Sequence, residues 1–465
     1  MKKDYRSGFI LGHFLPVMAI VSTLVLYPSC NQSSDVDTSR PNIILCMTDD
    51  QGWGDVGYMD HPVLRTPHLD QMASEGIQFE RFYSGAPVCS PTRGSCLTGR
   101  HPYRYGITFA NTGHMKKEEV TLAEVLRTMD YSTGFFGKWH LGTLTTKVKD
   151  SNRGLPGDAS HYSPPWENGF DETFATEAKV PTYWNDSVYL SYGTHYWTGP
   201  DELVPADQIK GDDSRLIMDR ALDFIEKAAR ENSPFFTVIW FHAPHLPVVS
   251  APPYTDGYTE HKDYYGCISA MDEQMGRLRA ALKSSGVEEN TILWFCSDNG
   301  PEGDDTFPGR THGLKGRKRS LYEGGVRVPG LMVWPKMIKE GRVTKIPCTT
   351  SDYFPTILDV LGYSLDSTTV LPRDGISLLP LITEDMEQRE RPIAFESNKQ
   401  LSLTDNRYKI YSANQGESYE LYDLILDENE SENIAHLHPE IVEGMTRTLE
   451  QWRRSCRESN QGKDY

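Results

Sequence analysis

Cys89-Ser90-Pro91-Thr92-Arg93 places a sulfur nucleophile, a residue suited to a first helical turn and a guanidinium within five positions. Proline is tolerated where a helix begins, because its missing N–H has no helical partner there, so the stretch predicts a helix whose electropositive N-terminus lies beside Cys89. Free N–H groups at such an end attract anions. Arg93, four residues on, falls on the same face and offers a planar fork of donors matched to a tetrahedral oxyanion. A small, inert buried cysteine is the plainer reading. The continuation Gly94-Ser95-Cys96-Leu97-Thr98-Gly99-Arg100 weighs against chance.

Other residues extend this chemistry. Asp49-Asp50 and Asp298-Asn299 make an all-oxygen set, which suits a hard cation such as calcium or magnesium and suits zinc poorly. Each pair alone reads equally as a loop or turn. Lys138 and His140, one residue apart, share a face if the strand end is extended, with Trp139 on the other. Histidine exchanges protons near neutral pH, and lysine offers a point charge to an anionic oxygen. His245 follows Ala243-Pro244, where proline fixes the backbone. The densest basic stretch comprises Arg310, Lys315, Arg317, Lys318, Arg319 and Arg327, with His312 beside it.

Strand-like apolar runs must position these groups. They span Ile43 to Met47, Ser132 to Gly137, Phe235 to Phe241, Ile292 to Cys296 and Leu331 to Trp334, and alternate with helical patterns at Thr121 to Met129, Arg215 to Ala229 and Tyr265 to Leu282. Alternation of this kind predicts an α/β fold with a mostly parallel sheet covered on both faces, whose ligands gather at the carboxyl ends of the strands. Asp49-Asp50, Lys138-Trp139-His140, His242 to His245 and Asp298-Asn299 each follow such a run. Residues 143–212 break the pattern and read as an elaborated insertion. Within it, Tyr183, Trp184, Tyr189, Tyr192, Tyr196 and Trp197 suit sugar rings or aromatic packing equally. From about Ser377, four short strands and a helix from Pro439 to Arg457 predict a smaller C-terminal α+β domain with an antiparallel sheet.

The 465 residues carry a formal net charge of −18, which excludes nucleic acid as a main partner and means that an anionic ligand must be drawn in by a local cluster. Lys2, Lys3 and Arg6 precede an apolar run from Phe9 to Tyr27, so residues 1–29 read as an export signal. The run resembles a lipoprotein signal with Cys30 as the lipidated residue, while a plain signal or an uncleaved anchor fits the same composition. Each reading places the rest of the chain outside a bacterial cytoplasm, in the periplasm or at the outer membrane. Residues 30–40 read as a linker, 41–376 as the catalytic domain and 377–465 as the C-terminal subdomain. The eight cysteines fit no tidy disulfide framework, although export permits a bridge of unassigned pairing, and Cys46 and Cys296 read as buried free thiols.

From about Pro41 to Trp452 the chain resembles the type I, formylglycine-dependent sulfatases of the alkaline-phosphatase-like superfamily. The resemblance is carried by Asn42 to Gly54, Cys89 to Arg100, Gly137 to Gly142, Phe241 to His245, Ser297 to Gly300, Gly313 to Gly316 and Tyr322 to Arg327. It implies oxidation of Cys89 to formylglycine (3-oxoalanine) by a maturation enzyme, and Ca²⁺, or less readily Mg²⁺, held by Asp49, Asp50, Asp298, Asn299 and the oxidised Cys89. It further implies attack on sulfur by the aldehyde hydrate, a covalent sulfate hemiacetal, and its breakdown through deprotonation by His140. His245 and Lys315 are then expected at the leaving oxygen, and Arg93 and Lys138 at the hydrate and sulfuryl oxygens. His312 and Arg317 are candidate substrate contacts. The implied activity is hydrolysis of sulfate esters on a polysaccharide or glycosaminoglycan fragment. Phosphodiester or phosphonate hydrolysis on the same scaffold, and a non-catalytic glycan-binding lipoprotein, are the competing readings.

Overall fold

Five apolar strands lie side by side in the middle of one ten-stranded sheet, and the polar ends of four of them converge. The structure is a computed structural model that describes residues 40–184, 192–365 and 371–465; the signal-like segment, Cys30 and Tyr189 lie outside the described residues. In the sheet, Asn42–Thr48 pairs in parallel with Phe235–Trp240 on one side and Thr291–Ser297 on the other. Ser132–Lys138 and then Glu172–Thr176 continue the parallel order beyond Phe235–Trp240. Gly330–Val333 runs antiparallel against Thr291–Ser297, so the sheet is mixed.

Burial explains why these strands read as continuous apolar runs. Alternate side chains of Asn42–Thr48 enter two different cores: Ile43, Leu45 and Met47 join Leu97, Leu122 and Phe354 on one face, while Ile44 and Cys46 join Ile217, Ile225, Ile268 and Met275 on the other. Helices therefore cover both faces. Leu122–Thr128 and Tyr353–Val360 lie on the first, and Asp213–Arg230 and Lys262–Ser284 on the second. The Leu122–Thr128 helix opens with a capping box, Thr121 and Glu124 each accepting from the other's backbone N–H.

Residues 143–212 are more than an insertion, because Glu172–Thr176, Trp197–Gly199 and Glu202–Leu203 all belong to the central sheet. The short, threonine-bearing sequence of Glu172–Thr176 hides its strand character. Three aromatic residues of this segment, Trp184, Tyr196 and Trp197, are packing groups: Tyr196 stacks on Phe174 at 4.0 Å between centroids and, with Trp184, donates to the buried Asp213. Trp197 is 3% exposed. Of the two readings open for this group, packing holds for Trp184, Tyr196 and Trp197, which are buried.

The C-terminal segment forms an antiparallel meander, Ile393–Ser397, Gln400–Thr404, Tyr408–Ser412 and Glu420–Asp423, with the helix Pro439–Asn460 beside it. Leu401, Leu403, Ile410 and Leu421 meet Met445 and Leu449 of that helix, whereas Ile393, Phe395 and Tyr411 on the other face meet Tyr83, Leu321 and Val326. Among the described residues the seven cysteines are buried free thiols, and no helix is long and apolar enough to cross a membrane.

Asp374 fastens these parts. It accepts from Arg104 Nε at 2.7 Å and Nη2 at 2.8 Å, and from Trp452 of the last helix at 2.8 Å. Burial alone would raise its pKa, but the Arg104 guanidinium outweighs this and holds the carboxyl down at about 2. Asp374→Asn is expected to destabilise the protein by about 3 kcal/mol, because it strips Arg104 of its counter-charge. The stabilisation from Asp374 is fully present above the unfolded-state pKa of about 4 and disappears as pH falls toward 2. Denaturant melts of wild type and variant at pH 7 and near pH 2.5 measure this: the two curves should be well separated at the first pH and lie much closer together at the second.

Candidate active site

Cys89 is the first residue of a ten-residue helix, Cys89–Thr98, in which every residue is buried. Val88 precedes it in an extended conformation without side-chain capping, so the first N–H groups of the helix are not claimed by a cap. The rest of the motif explains itself by packing. A Cβ on Gly94 would lie 2.3 Å from the Tyr105 hydroxyl oxygen, and Gly99 ends the helix with φ +67° against Phe354. Arg100 ion-pairs with Glu119 at 3.0 Å and Asp464 at 2.8 Å. Residues 94–100 thus hold the helix, and Cys89 and Arg93 are left for chemistry.

The convergence expected at the strand ends is present. Arg93 donates to Asp298 at 2.6 Å and to the Lys138 carbonyl at 3.0 Å, and lies 3.4 Å from Asp49. Lys138 donates to Asp49 at 2.6 Å, and Asn299 to Asp50 at 2.7 Å. The Asp50 N–H donates to Asp298 at 3.1 Å, with Asp50 at φ 66°. Asp49, Asp298, Asn299 and Arg93 are all 0% exposed. Burial would raise Asp49, yet Lys138, His245, Arg93 and Lys318 together hold it well below the usual carboxylate range. Burial and the neighbouring Asp49 charge push Asp298 up.

These residues fit a hard divalent cation. The ligand atoms of Asp49, Cys89 and Asp298 all lie within 4.8 Å of one another. Asp49 Oδ1 and Asn299 Oδ1 are buried without a hydrogen-bond partner in the protein, and both are oxygen acceptors of the kind calcium and magnesium take. Buried acceptors of this sort are costly unless something positive meets them.

Cys89 opens onto a cavity of about 320 Å³ lined also by Asn111, Lys138, His140, Asn152, Lys179, His245, Lys318 and Arg319. Burial raises the thiol pKa more than Lys138 and Lys318 lower it, so the encoded side chain is not an activated thiolate. His140 Nδ1 sits 3.3 Å from Cys89 Sγ, and its Nε2 lies 3.0 Å from Asn111 Oδ1. Asn152 donates to that same Asn111 oxygen at 3.1 Å. An amide oxygen only accepts, so Asn111 fixes the proton of His140 on Nε2 and leaves Nδ1 as an acceptor facing Cys89. Burial, reinforced by Lys138 and Arg93, lowers the His140 pKa well below its usual value and keeps the ring neutral. His245 donates through Nδ1 to the Leu246 carbonyl at 2.6 Å, and its Nε2 lies 3.6 Å from Asp50.

Three expectations change. Lys315 does not line this cavity: its ammonium bonds Tyr422 Oη at 3.0 Å and lies 4.0 Å above the Tyr322 ring, in an adjoining open groove of about 1260 Å³ that shares Lys318 and Arg319 with it. Lys318 takes the position instead, donating to Asp50 at 2.6 Å with 5% of its side chain exposed. The turn at Gly316, φ +79°, separates the two lysines and redirects the chain. Arg317 does not line this cavity, and its Nη2 donates to the Glu302 and Gly309 carbonyls at 3.0 and 2.7 Å. His312 packs edge-on against Trp53, 5.6 Å between centroids, and does not line the cavity. Asn111 carried no signal of its own in the sequence, being one amide in a loop remote from every motif.

Comparison with known proteins follows the same lines. The Sulfatase family model matches residues 41–363, and that of the N-sulphoglucosamine sulphohydrolase C-terminal region matches residues 311–455. N-acetylgalactosamine-6-sulfatase of Mus musculus is 30% identical over 410 residues, covering 80% of this chain and 72% of the relative. Arylsulfatase G of Rattus norvegicus is 32% identical over 394 residues, covering 76% and 72%. Among solved structures, Ps i-CgsB in complex with k-i-k-neocarrahexaose superposes with a TM-score of 0.78 at 25% identity, covering 89% of this chain and 93% of that one. With the family model spanning most of the chain and the fold and acidic cluster in agreement with it, this chain belongs to the formylglycine-type sulfatases of the alkaline-phosphatase-like superfamily and is a sulfuric ester hydrolase.

Proposed function

We propose that the chain removes sulfate from a sulfated carbohydrate, using an aldehyde formed by oxidation of Cys89 in a maturation enzyme and a Ca²⁺ ion held by Asp49, Asp50, Asp298, Asn299 and the oxidised Cys89. The observation that carries this reading is the placement of Cys89, at a helix N-terminus, within reach of a buried oxygen set with partnerless acceptors and of an unprotonated histidine nitrogen. The cation supplies Lewis-acid stabilisation and a fixed template for anionic oxygens. The raised thiol pKa of Cys89 favours a chemically converted side chain over the thiol itself as the nucleophile.

The protein's own groups divide the remaining work. His140 Nδ1 accepts the proton of an oxygen carried at position 89, and Asn111 keeps that nitrogen free. Arg93 and Lys138 hold the acidic cluster and the bound anion, and preplaced cations of this kind are worth about 10² to 10³ in rate for a single donor. Lys318 and His245 line the same cavity and serve the leaving oxygen, a role that passes to Lys318 from the sequence-expected Lys315. A carbohydrate substrate draws support from relatives named N-acetylgalactosamine-6-sulfatase and from the complex of Ps i-CgsB with k-i-k-neocarrahexaose. The basic, apolar and polar sequence of residues 1–34 supports export, with Cys30 lipidation holding the enzyme at the bacterial envelope.

Paired aryl sulfate and aryl phosphate esters test the reaction class: sulfate should turn over faster, and preferential release of phosphate would move the chain to the phosphonate or phosphodiester branch. Lysine variants test the site. Lys318→Ala is expected to lower kcat at least about 10²-fold, whereas Lys315→Ala should keep kcat for a small aryl sulfate within about threefold of wild type, as befits an exposed group outside the cavity. Steady-state kinetics with matched metal content decides, and equal losses would reject the assignment of Lys318.

A further inference from the structure

The cations around the cavity are not equivalent. Lys138 is held by Asp49 at 2.6 Å, Lys318 by Asp50 at 2.6 Å, and Arg319 by Glu302 at 2.5 and 3.0 Å. Lys179 is the fourth cation on the wall. It is exposed, and no hydrogen bond or ion pair joins its ammonium to another described residue. In a chain of net charge −18, an exposed ammonium without a counter-ion among the described residues, at the mouth of an anion-binding cavity, is a local attractor.

Its position is built. Lys179 follows the strand Glu172–Thr176, and its neighbours Ala178 and Val180 are 2% and 0% exposed, so the backbone is anchored while the lysine side chain is left to solvent. Glu177, fully buried, pairs with Arg153 at 3.0 Å. Arg153 in turn donates to the Gly113 carbonyl at 2.5 Å. That bridge ties the Lys179 segment to Asn152, and through it to Asn111, on the same cavity. Phe109, Ala110 and Leu246 supply apolar lining beside these polar groups. A volume of about 320 Å³ exceeds what one sulfuryl group needs and leaves room for the ring that carries it.

We propose that Lys179 is a specificity residue that selects saccharides bearing a second anionic group, a carboxylate or a further sulfate, close to the sulfate being removed. This rests on the sulfatase reading above. The ammonium pairs with the second anion at the cavity mouth, so it contributes to binding of substrate and transition state alike and acts on KM more than on kcat. The partnership is exposed and screened by salt.

The test uses the full-length matured enzyme, wild type, Lys179→Ala and Lys179→Arg. Three monosaccharide or disaccharide substrates share one scissile sulfate: one with no other charge, one with an adjacent uronate, and one with a second sulfate. Relative to wild type, Lys179→Ala should lose roughly three- to tenfold in kcat/KM on at least one dianionic substrate, chiefly through KM, and stay within about twofold on the singly charged one. Lys179→Arg should restore most of the loss, and raising the salt concentration should shrink the difference. Loss confined to the uronate substrate, or to the disulfated one, identifies which anion is read. An equal effect on all three substrates, or none on any, overturns the proposal. Failure of the sulfatase reading is distinct, since wild type would then release sulfate from none of them.

Discussion

Three carboxylates, Asp49, Asp50 and Asp298, are gathered without solvent at the ends of two adjacent parallel strands, and the rest of the site is arranged to tolerate them. Removing such ions from water costs several kcal/mol each after relaxation. Arg93, Lys138 and Lys318 face them, one cation bonded to each acid at 2.6 Å. The balance is incomplete at the level of atoms, because Asp49 Oδ1 and Asn299 Oδ1 remain without partners. That deficit is what a divalent ion would meet, and it explains why an otherwise neutral cluster is kept in so costly a place.

The same electrostatics determines what can act as nucleophile and base. Burial keeps the Cys89 thiol protonated and the His140 ring neutral. A neutral ring can take a proton only if its free nitrogen faces the reacting group, and the Asn111 amide oxygen on Nε2 settles that orientation. His140 itself sits at φ 57°, in the left-handed region, two residues past the end of the strand Ser132–Lys138. Positioning of the base therefore belongs to the loop around residue 111 as much as to the turn that follows the strand Ser132–Lys138 and carries His140.

The parts of the fold that were legible in the sequence were those written in long apolar runs. Strands buried on both faces cannot alternate, so Ile43 to Met47 or Ile292 to Cys296 announce themselves, and the polar residues that follow must lie at the sheet's edge. Glu172–Thr176 escaped because its burial is achieved with two threonines and an alanine around a single phenylalanine. Choosing between Lys315 and Lys318 required knowing how the chain turns at Gly316, information that side-chain type does not carry. The aromatic group between 183 and 197 was ambiguous for a similar reason: an aromatic ring serves a core or a ligand equally well until its faces are seen to be covered.

The chemical state of position 89 is the claim on which the account turns. Peptide mass spectrometry of protein that has been coexpressed with a formylglycine-generating enzyme, and that releases sulfate from an aryl sulfate, measures it directly. The peptide containing residue 89 is expected to carry an aldehyde that reacts with hydrazine, in a proportion that tracks specific activity. A wholly unmodified thiol in fully active protein would contradict it.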